Sequence, residues 1–433
     1  MKLILLLTFF TTSLCAKNEY FQLAEDSLAH KNYDRAHAAI ANAKKQCANH
    51  NELFQIGVLY CKIGAISDAI QTYRSVLEQT PSSLSTLYNI AFALKVGGYA
   101  DEALEMYHTL VAHNSSYEPA RMGLAYTLLQ KGDYVAGWTA HEWNLRKQGK
   151  NADELRTLLR ENNIKDKIIL LTPEGGIGDS IHFIRYAERL KNMGARVAVA
   201  IQKPLLPLFK RCPYIDFVFQ AQLGAPKYDA RATLMSLPAI FCDSEETLSR
   251  TAPYLFPDPE LVSYWEKQFE SDHNFKIGIC WQADLHNDES RLPIAHRGIP
   301  LAHFFTLKNI PGITFYSLQK YEGLDQLAQK PADFNLVTLE NFDEEHGPFM
   351  DTAAIMQQMD LIISVDTAIG HLAGALGRPT WLLLPYNADW RWLFGRSDSP
   401  WYPTMRIFQQ TEPFNWHLVM DSVKTTLEKL CAT

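Results

Sequence analysis

The stretch Leu361-Ile-Ile-Ser-Val-Asp366-Thr367-Ala-Ile-Gly370-His371-Leu-Ala-Gly374-Ala-Leu-Gly377-Arg-Pro-Thr-Trp-Leu-Leu-Leu384 reads as a buried strand, a polar turn, a short helix and a second strand. Residues 361–365 and 380–384 are apolar apart from one serine and one threonine, the pattern of parallel strands covered on both faces. Doubly wound sheets take their ligands in the crevice beyond the carboxyl ends of such strands. The turn there offers a carboxylate (Asp366), a hydroxyl (Thr367), backbone N–H groups near Gly370 and an imidazole (His371). That set suits a diphosphate better than a metal ion. For His371, a satisfied structural histidine is the competing reading.

The same alternation of short apolar runs and amphipathic helices extends in both directions. Strands are expected at 276–281, 313–319 and 336–339, with a closing helix at 416–430. Upstream lie strands at 167–171, 196–201, 215–219 and 232–236 and a helix over 178–193, before a proline-marked break at 253–259. The expectation is two Rossmann-like units, 165–272 and 273–433, facing each other across a cleft. In the first, Pro173-Glu-Gly-Gly-Ile-Gly-Asp179 joins strand to helix, and glycines such as Gly176 and Gly178 let backbone approach a ligand. A dinucleotide fingerprint requires glycine where Ile181 stands, and no GK[ST] follows, so oxidoreductase and nucleoside-triphosphatase readings lose their motifs. Asp179 either caps the helix or serves as a base.

Ahead of these units, small residues recur at Ala36, Ala69, Ala103 and Gly137, at intervals of 33, 34 and 34. Five positions before each stand Lys31, Gly64, Gly98 and Gly132, where a helical hairpin turns and φ > 0 is wanted. Tyr73 and Tyr107 follow the small position by four, and Pro81 closes the second repeat. This is the tetratricopeptide period, over residues 17–149, with 150–164 as a polar linker. Stacked hairpins share a core and leave a concave groove, which serves either to hold a partner or as scaffold.

With 433 residues, 41 Lys and Arg against 48 Asp and Glu, and 47% hydrophobic residues, the chain is a folded multidomain body without a basic footprint for nucleic acid. Seven cysteines show no C-x-x-C and no zinc spacing; buried free thiols are expected, with Cys47–Cys61 the one pair open to bridging. Residues 1–16, with Lys2, an apolar run and Cys15-Ala16, read as a cleavable leader, which implies export to a periplasmic or secreted location. The alternatives are an uncleaved anchor, which would be the chain's sole membrane contact, or a hydrophobic first helix of a cytoplasmic protein.

Taken together these residues resemble bacterial proteins that fuse tetratricopeptide repeats to a glycosyltransferase domain of the heptosyltransferase type. The resemblance is carried by Gly176-Ile-Gly-Asp179 with Phe183-Ile-Arg-Tyr-Ala187, Ser236-Leu-Pro238, Trp281, Arg297-Gly-Ile-Pro-Leu301, Ser317-Leu-Gln-Lys320, the block from Asp366 to Trp381, Trp390-Arg-Trp392, and Ser399-Pro-Trp-Tyr-Pro-Thr-Met405. It implies a helical repeat solenoid followed by a GT-B pair of domains: an acceptor half, then a half that holds a nucleotide-sugar donor. It implies metal-independent inverting transfer to a hydroxyl with no cofactor, Asp179 as the base, and Gly176 and Gly178 in the acceptor-side loop. Arg297, Lys320, His371 and the N–H groups at Thr367 to Gly370 would face the leaving diphosphate, and Asp366 the donor hydroxyls. Trp281 is either a stacking platform for the base or a core aromatic, and Trp390 to Trp392 with Trp401 read as packing. The repeats would recruit a protein or glycan acceptor. One departure stands out: Trp281-Gln282-Ala283 replaces the usual W-S-G and is expected to crowd the donor side or change the sugar accepted. The rival is a non-catalytic interaction protein with a degenerate transferase domain.

Overall fold

The computed structural model describes residues 19–432 except 48, 148, 150, 151, 222, 223, 225 and 285–291; the expected leader lies outside the described residues. Eight helices form four hairpins: α1 (Glu19–Ala29) with α2 (Tyr33–Lys45), α3 (His50–Lys62) with α4 (Ile66–Gln79), α5 (Leu84–Val96) with α6 (Ala100–His113), and α7 (Glu118–Gln130) with α8 (Tyr134–Lys147). Lys31, Gly64, Gly98 and Gly132 all turn the chain with left-handed φ of 56°, 76°, 84° and 85°. Ala36, Ala69 and Ala103 are fully buried, because the paired helix passes directly over them. Tyr73 and Tyr107 lie flat on two glycines that their spacing does not announce. A Cβ on Gly57 would stand 2.5 Å from the Tyr73 ring, and one on Gly123 2.4 Å from that of Tyr107.

A short helix, α9 (Asp153–Arg160), leads into the first sheet. Its four parallel strands are β1 (Ile168–Thr172), β2 (Arg196–Ile201), β3 (Phe217–Gln220) and β4 (Ala230–Thr233), in the order β3-β2-β1-β4. The helix expected over 178–193 is two helices, α10 (Ile177–Phe183) and α11 (Arg185–Asn192), because Arg185 Nε takes the His182 carbonyl at 2.8 Å. β4 begins earlier than 232 and ends at Thr233, where a 3₁₀ turn over Leu234–Ser236 is closed by Thr233 Oγ1 and Ser236 Oγ at 2.7 Å. Short helices α12 (Leu206–Phe209) and α13 (Leu237–Ile240) precede α14 (Pro259–Phe269), which leads to the second unit.

The second sheet has six parallel strands: β5 (Phe275–Cys280), β6 (Ile313–Ser317), β7 (Leu336–Thr338), β8 (Leu361–Val365), β9 (Thr380–Leu384) and β10 (Met405–Gln409). Their order is β10-β9-β8-β5-β6-β7, so the winding reverses between β5 and β8. Helices α15 (Met350–Gln357), α16 (Ala368–Ala375) and α17 (Trp416–Cys431) cover it. β10 was not among the expected strands: it is a short edge strand with Arg406 pointing to solvent, which leaves no continuous apolar run. The architecture of helical repeats followed by two parallel α/β sheets is otherwise the one the sequence implies.

The repeats are not a separate module. Tyr126, Leu129, Tyr134 and Trp138 of the fourth hairpin belong to the core of the α/β body, with Trp138 edge-on to Trp390 (5.2 Å) and Phe183 (5.7 Å). Leu292, Ile294 and Ala295 of the second unit belong to the core shared by the first three hairpins and α7. Tyr33 stacks on Phe414 at 3.6 Å. The chain's own C-terminal unit thus covers the array at three places. All six described cysteines are free, Cys47 and Cys61 included; Cys61, Cys212 and Cys280 are buried. Among the described residues no helix is long and apolar enough to cross a membrane.

Candidate functional site

The site is built where the switch points of the two sheets meet. In the first sheet, the loop after β1 carries Glu174 to Gly176, and Glu174 Oε2 accepts the Met235 N–H from the loop after β4 at 2.9 Å. Asp179, in the first turn of α10, accepts the Gly176 N–H on Oδ2 at 2.8 Å. A Cβ on Gly175 would sit 1.8 Å from that oxygen, so glycine there is what lets the carboxylate fold back. The other oxygen, Oδ1, receives Arg391 Nη2 at 2.5 Å from the opposite unit, and Arg391 Nη1 donates to Asp389 Oδ1 at 2.7 Å. Asp179 is therefore both helix cap and cleft carboxylate. Burial works against charge on Arg391, but Asp389 and Asp179 outweigh it and hold the guanidinium firmly protonated.

In the second sheet, Cys280 at the end of β5 lies 3.9 Å from Thr367 Oγ1 after β8, which marks the crevice. Thr367 caps α16 through the Ile369 N–H at 3.3 Å, so its hydroxyl is in use by the helix itself. Gly370 is packed, not open: a Cβ there would stand 2.9 Å from Leu382 Cδ1 on β9. Asp366 is buried, with His371 Nε2 at 3.9 Å from its Oδ1. His371 accepts or donates at Nδ1 to the Tyr402 hydroxyl at 2.8 Å and stacks on Trp392 at 5.4 Å. Burial, then the Arg391 charge, push its pKa down to about 3, so the ring is neutral.

Gly178 is where the halves touch: a Cβ would lie 2.9 Å from His371 Cδ2 and 3.8 Å from Ala368 Cα. It serves the crossing of α10 over α16 more than an open acceptor loop, whereas Gly176 is exposed. Arg297 is half-buried and near enough to His371 to oppose its protonation. Lys320 Nζ donates to the Phe342 carbonyl and lies 4.4 Å from that ring's centroid.

Trp281 is wholly buried, and its Nε1 donates to the Gly323 carbonyl at 3.2 Å. Of the two readings, core aromatic is the one this packing supports. The substitution at Gln282-Ala283 is accommodated by glycines, since a Cβ on Gly298 or Gly323 would fall 2.4 Å or 2.8 Å from the Gln282 side chain. Gln319 then ties the loops after β5 and β6, accepting the N–H groups of Trp281 (3.0 Å) and Gln282 (2.9 Å) and donating to the Glu322 carbonyl (2.9 Å).

Arg391, which holds the Asp179 carboxylate, is the cleft residue that sequence reasoning passed over as packing. Its signal was present: an arginine between two tryptophans, two residues after Asp389, has no reason to be buried unless it meets carboxylates. His182 and Tyr402 gave no such signal.

The segment from β8 through α16 to β9 falls inside a recognised block. Residues 349–385 match the sequence model of Glycosyltransferase family 9 (heptosyltransferase). The resemblance to the heptosyltransferase type is thereby borne out, and the family 9 block contains Asp366, Thr367, Gly370 and His371. Protein FlbA of Caulobacter vibrioides is 26% identical over 410 residues, spanning 87% of this chain and 67% of that protein. Among solved structures, the chain is similar to E. coli ADP-heptose LPS heptosyltransferase II, at 13% identity and a TM-score of 0.41, covering 60% of this chain and 99% of that one. It is also similar to an O-GlcNAc transferase mutant from Thermobaculum terrenum, at 15% identity and a TM-score of 0.29, covering 87% and 85%.

Proposed function

We propose that this protein is an inverting glycosyltransferase that moves a sugar from a nucleoside-diphosphate sugar onto a hydroxyl acceptor without a metal ion. The observation that carries the reading is that the loop of Asp179 meets the Asp366–His371 turn of the family 9 block, with Gly178 against His371, while Arg391 from the second unit holds the Asp179 carboxylate. In the proposed step, the acceptor oxygen forms a bond to the anomeric carbon, its proton passes to Asp179, and the bond to the diphosphate oxygen breaks. Charge grows on the departing diphosphate, where the α16 N-terminus, Arg297 and Lys320 supply compensation. Lys320 must exchange the Phe342 carbonyl for phosphate to take part. Recruitment of a protein or glycan acceptor by the repeats belongs to the same proposal, for faces not already covered by Ile294, Trp390 and Phe414.

Calorimetric titration of the full chain with a panel of nucleoside diphosphates and nucleotide sugars, ADP-heptose included, tests it beside Asp366→Ala and His371→Ala. Micromolar binding of one donor, lost in both variants, is the expected result, with transfer unaffected by chelator. Asp179→Asn is then expected to lower transfer by about 10²- to 10⁴-fold at unchanged donor affinity. No binding across the panel favours the second reading, a non-catalytic interaction protein. One observation speaks for that rival: both oxygens of Asp179 already have partners.

A further inference from the structure

Between the two units lies a chain of buried groups, two of which, His182 and Tyr402, the proposed chemistry does not use. Tyr402 OH, from the segment before β10, stands 2.8 Å from His371 Nδ1 on α16 and 3.1 Å from His182 Nδ1 on α10. All three residues are buried, and the rings are packed by Trp392, Trp401 and Phe183. A phenol has one proton, so it donates to at most one of the two Nδ1 atoms, and the other must carry its own hydrogen.

The surroundings decide which. His371 Nε2 faces the Asp366 carboxylate at 3.9 Å; a bare lone pair there would be repelled, and an N–H is attracted. His371 Nδ1 is then the acceptor, in keeping with the shorter contact to the hydroxyl. His182 Nδ1 is left as the donor, and its Nε2, buried with no partner among the described residues, carries only a lone pair, the cheaper orphan. The other hydroxyl beside Tyr402 is that of Tyr254, which donates to the Ile181 carbonyl at 3.0 Å and accepts from Arg185 Nη2 at 2.9 Å. Its second lone pair is a rival acceptor for the Tyr402 proton, and the Asp366 carboxylate beside His371 Nε2 is what turns that proton to His371 Nδ1. Burial first, then the neighbouring arginines, keep both histidines neutral, as the tautomer argument requires.

We propose that His182 and Tyr402 are positioning residues: a one-way hydrogen-bond chain, His182 Nδ1–H to Tyr402 O–H to His371 Nδ1, locks His371 as its Nε2–H tautomer beside Asp366. His371 then meets a ligand as a neutral donor, suited to a hydroxyl or phosphoryl oxygen and never as a cation. The positive charge for a diphosphate falls to Arg297, Lys320 and the helix terminus. The ligand half of this inference rests on the proposed function; the tautomers do not.

The test is long-range proton–nitrogen NMR on the full chain labelled with ¹⁵N-histidine at pH 7, with His182→Gln and His371→Gln used to assign the two rings. Expected are His371 protonated at Nε2 and His182 at Nδ1. The same tautomer at both rings, or hydrogen on His371 Nδ1, overturns the proposal. Tyr402→Phe is expected to release His182 from the Nδ1–H form, and an unchanged His182 pattern in a folded variant overturns it; if that variant does not fold, the wild-type spectrum decides. Adding ADP or UDP is expected to shift His371. A spectrum with the expected tautomers and no response to any nucleoside diphosphate counts against the proposed function alone.

Discussion

Arg391 Nη2 donates to Asp179 Oδ1 at 2.5 Å, joining residues 212 positions apart and two different sheets. The arginine side chain is only 8% exposed and the aspartate 23%, so the pair is largely withdrawn from water, with Asp389 as a third member. Removing one partner of such a group strands the charges that remain. Arg391→Met is expected to destabilise the protein by about 3 kcal/mol or more by chemical denaturation. A change under about 1 kcal/mol would mean that water already screens the pair.

Two neighbouring glycines separate stability from chemistry. In Gly178→Ala the methyl meets His371 Cδ2 at 2.9 Å between two helices, and a loss of about 1–3 kcal/mol is expected in the unfolding midpoint. In Gly175→Ala it meets the exposed-side oxygen of Asp179 at 1.8 Å, which turns the carboxylate away. That variant is expected to lose transfer activity while keeping most of its stability, and a full-rate Gly175→Ala enzyme would remove Asp179 from the proposed mechanism.

Stability is expected to fall in mild acid. Burial pushes His371 down to about 3 and His141 down to about 4, and drives His182 in the same direction. Above about 6.5 these rings are neutral in both folded and unfolded chains, and they contribute no pH dependence. Below that, the unfolded chain binds protons the folded one refuses, so each histidine costs about 1.4 kcal/mol per pH unit until its folded pKa is reached. Urea midpoints at pH 7, 6 and 5 check this; a flat profile would show that the rings titrate normally.

The repeat turns offer a matched pair. Gly98 has φ of 84° with open space around it, so Gly98→Ala is expected to cost about 1–2 kcal/mol from the left-handed backbone alone. Gly64 has φ of 76° and would press its methyl on Pro413 at 3.0 Å and Ile294 Cγ2 at 3.1 Å. Gly64→Ala is expected to cost more than Gly98→Ala in thermal melts, by whatever the contact with the C-terminal unit is worth. Equal losses would mean that this contact is loose.

Much of the site was legible because its signals are local. Asp366 and Thr367 stand at a strand end and a helix start, positions set by a few residues of apolar patterning, and the glycines around Asp179 mark a strand-to-helix turn in the same way. What was not legible depends on burial. Trp281 offers the same ring whether it lines a cleft or a core, and only its complete burial in the folded chain tells which. The same holds for Gly370, whose use is to let α16 close on Leu382.

By itself the sequence determined the repeat period, the four left-handed turns, the parallel α/β order and the identity of the Asp366–His371 turn. These follow from steric limits and hydrophobic spacing within a few tens of residues, which act before any distant part of the chain arrives. Only the tertiary structure decided that Arg391 meets Asp179, that Tyr402 stands between two histidines, and that the repeats close on Ile294, Trp390 and Phe414. Those partners are brought together by how two sheets and a helical array pack, and a side chain's spacing in the chain carries no record of who will face it.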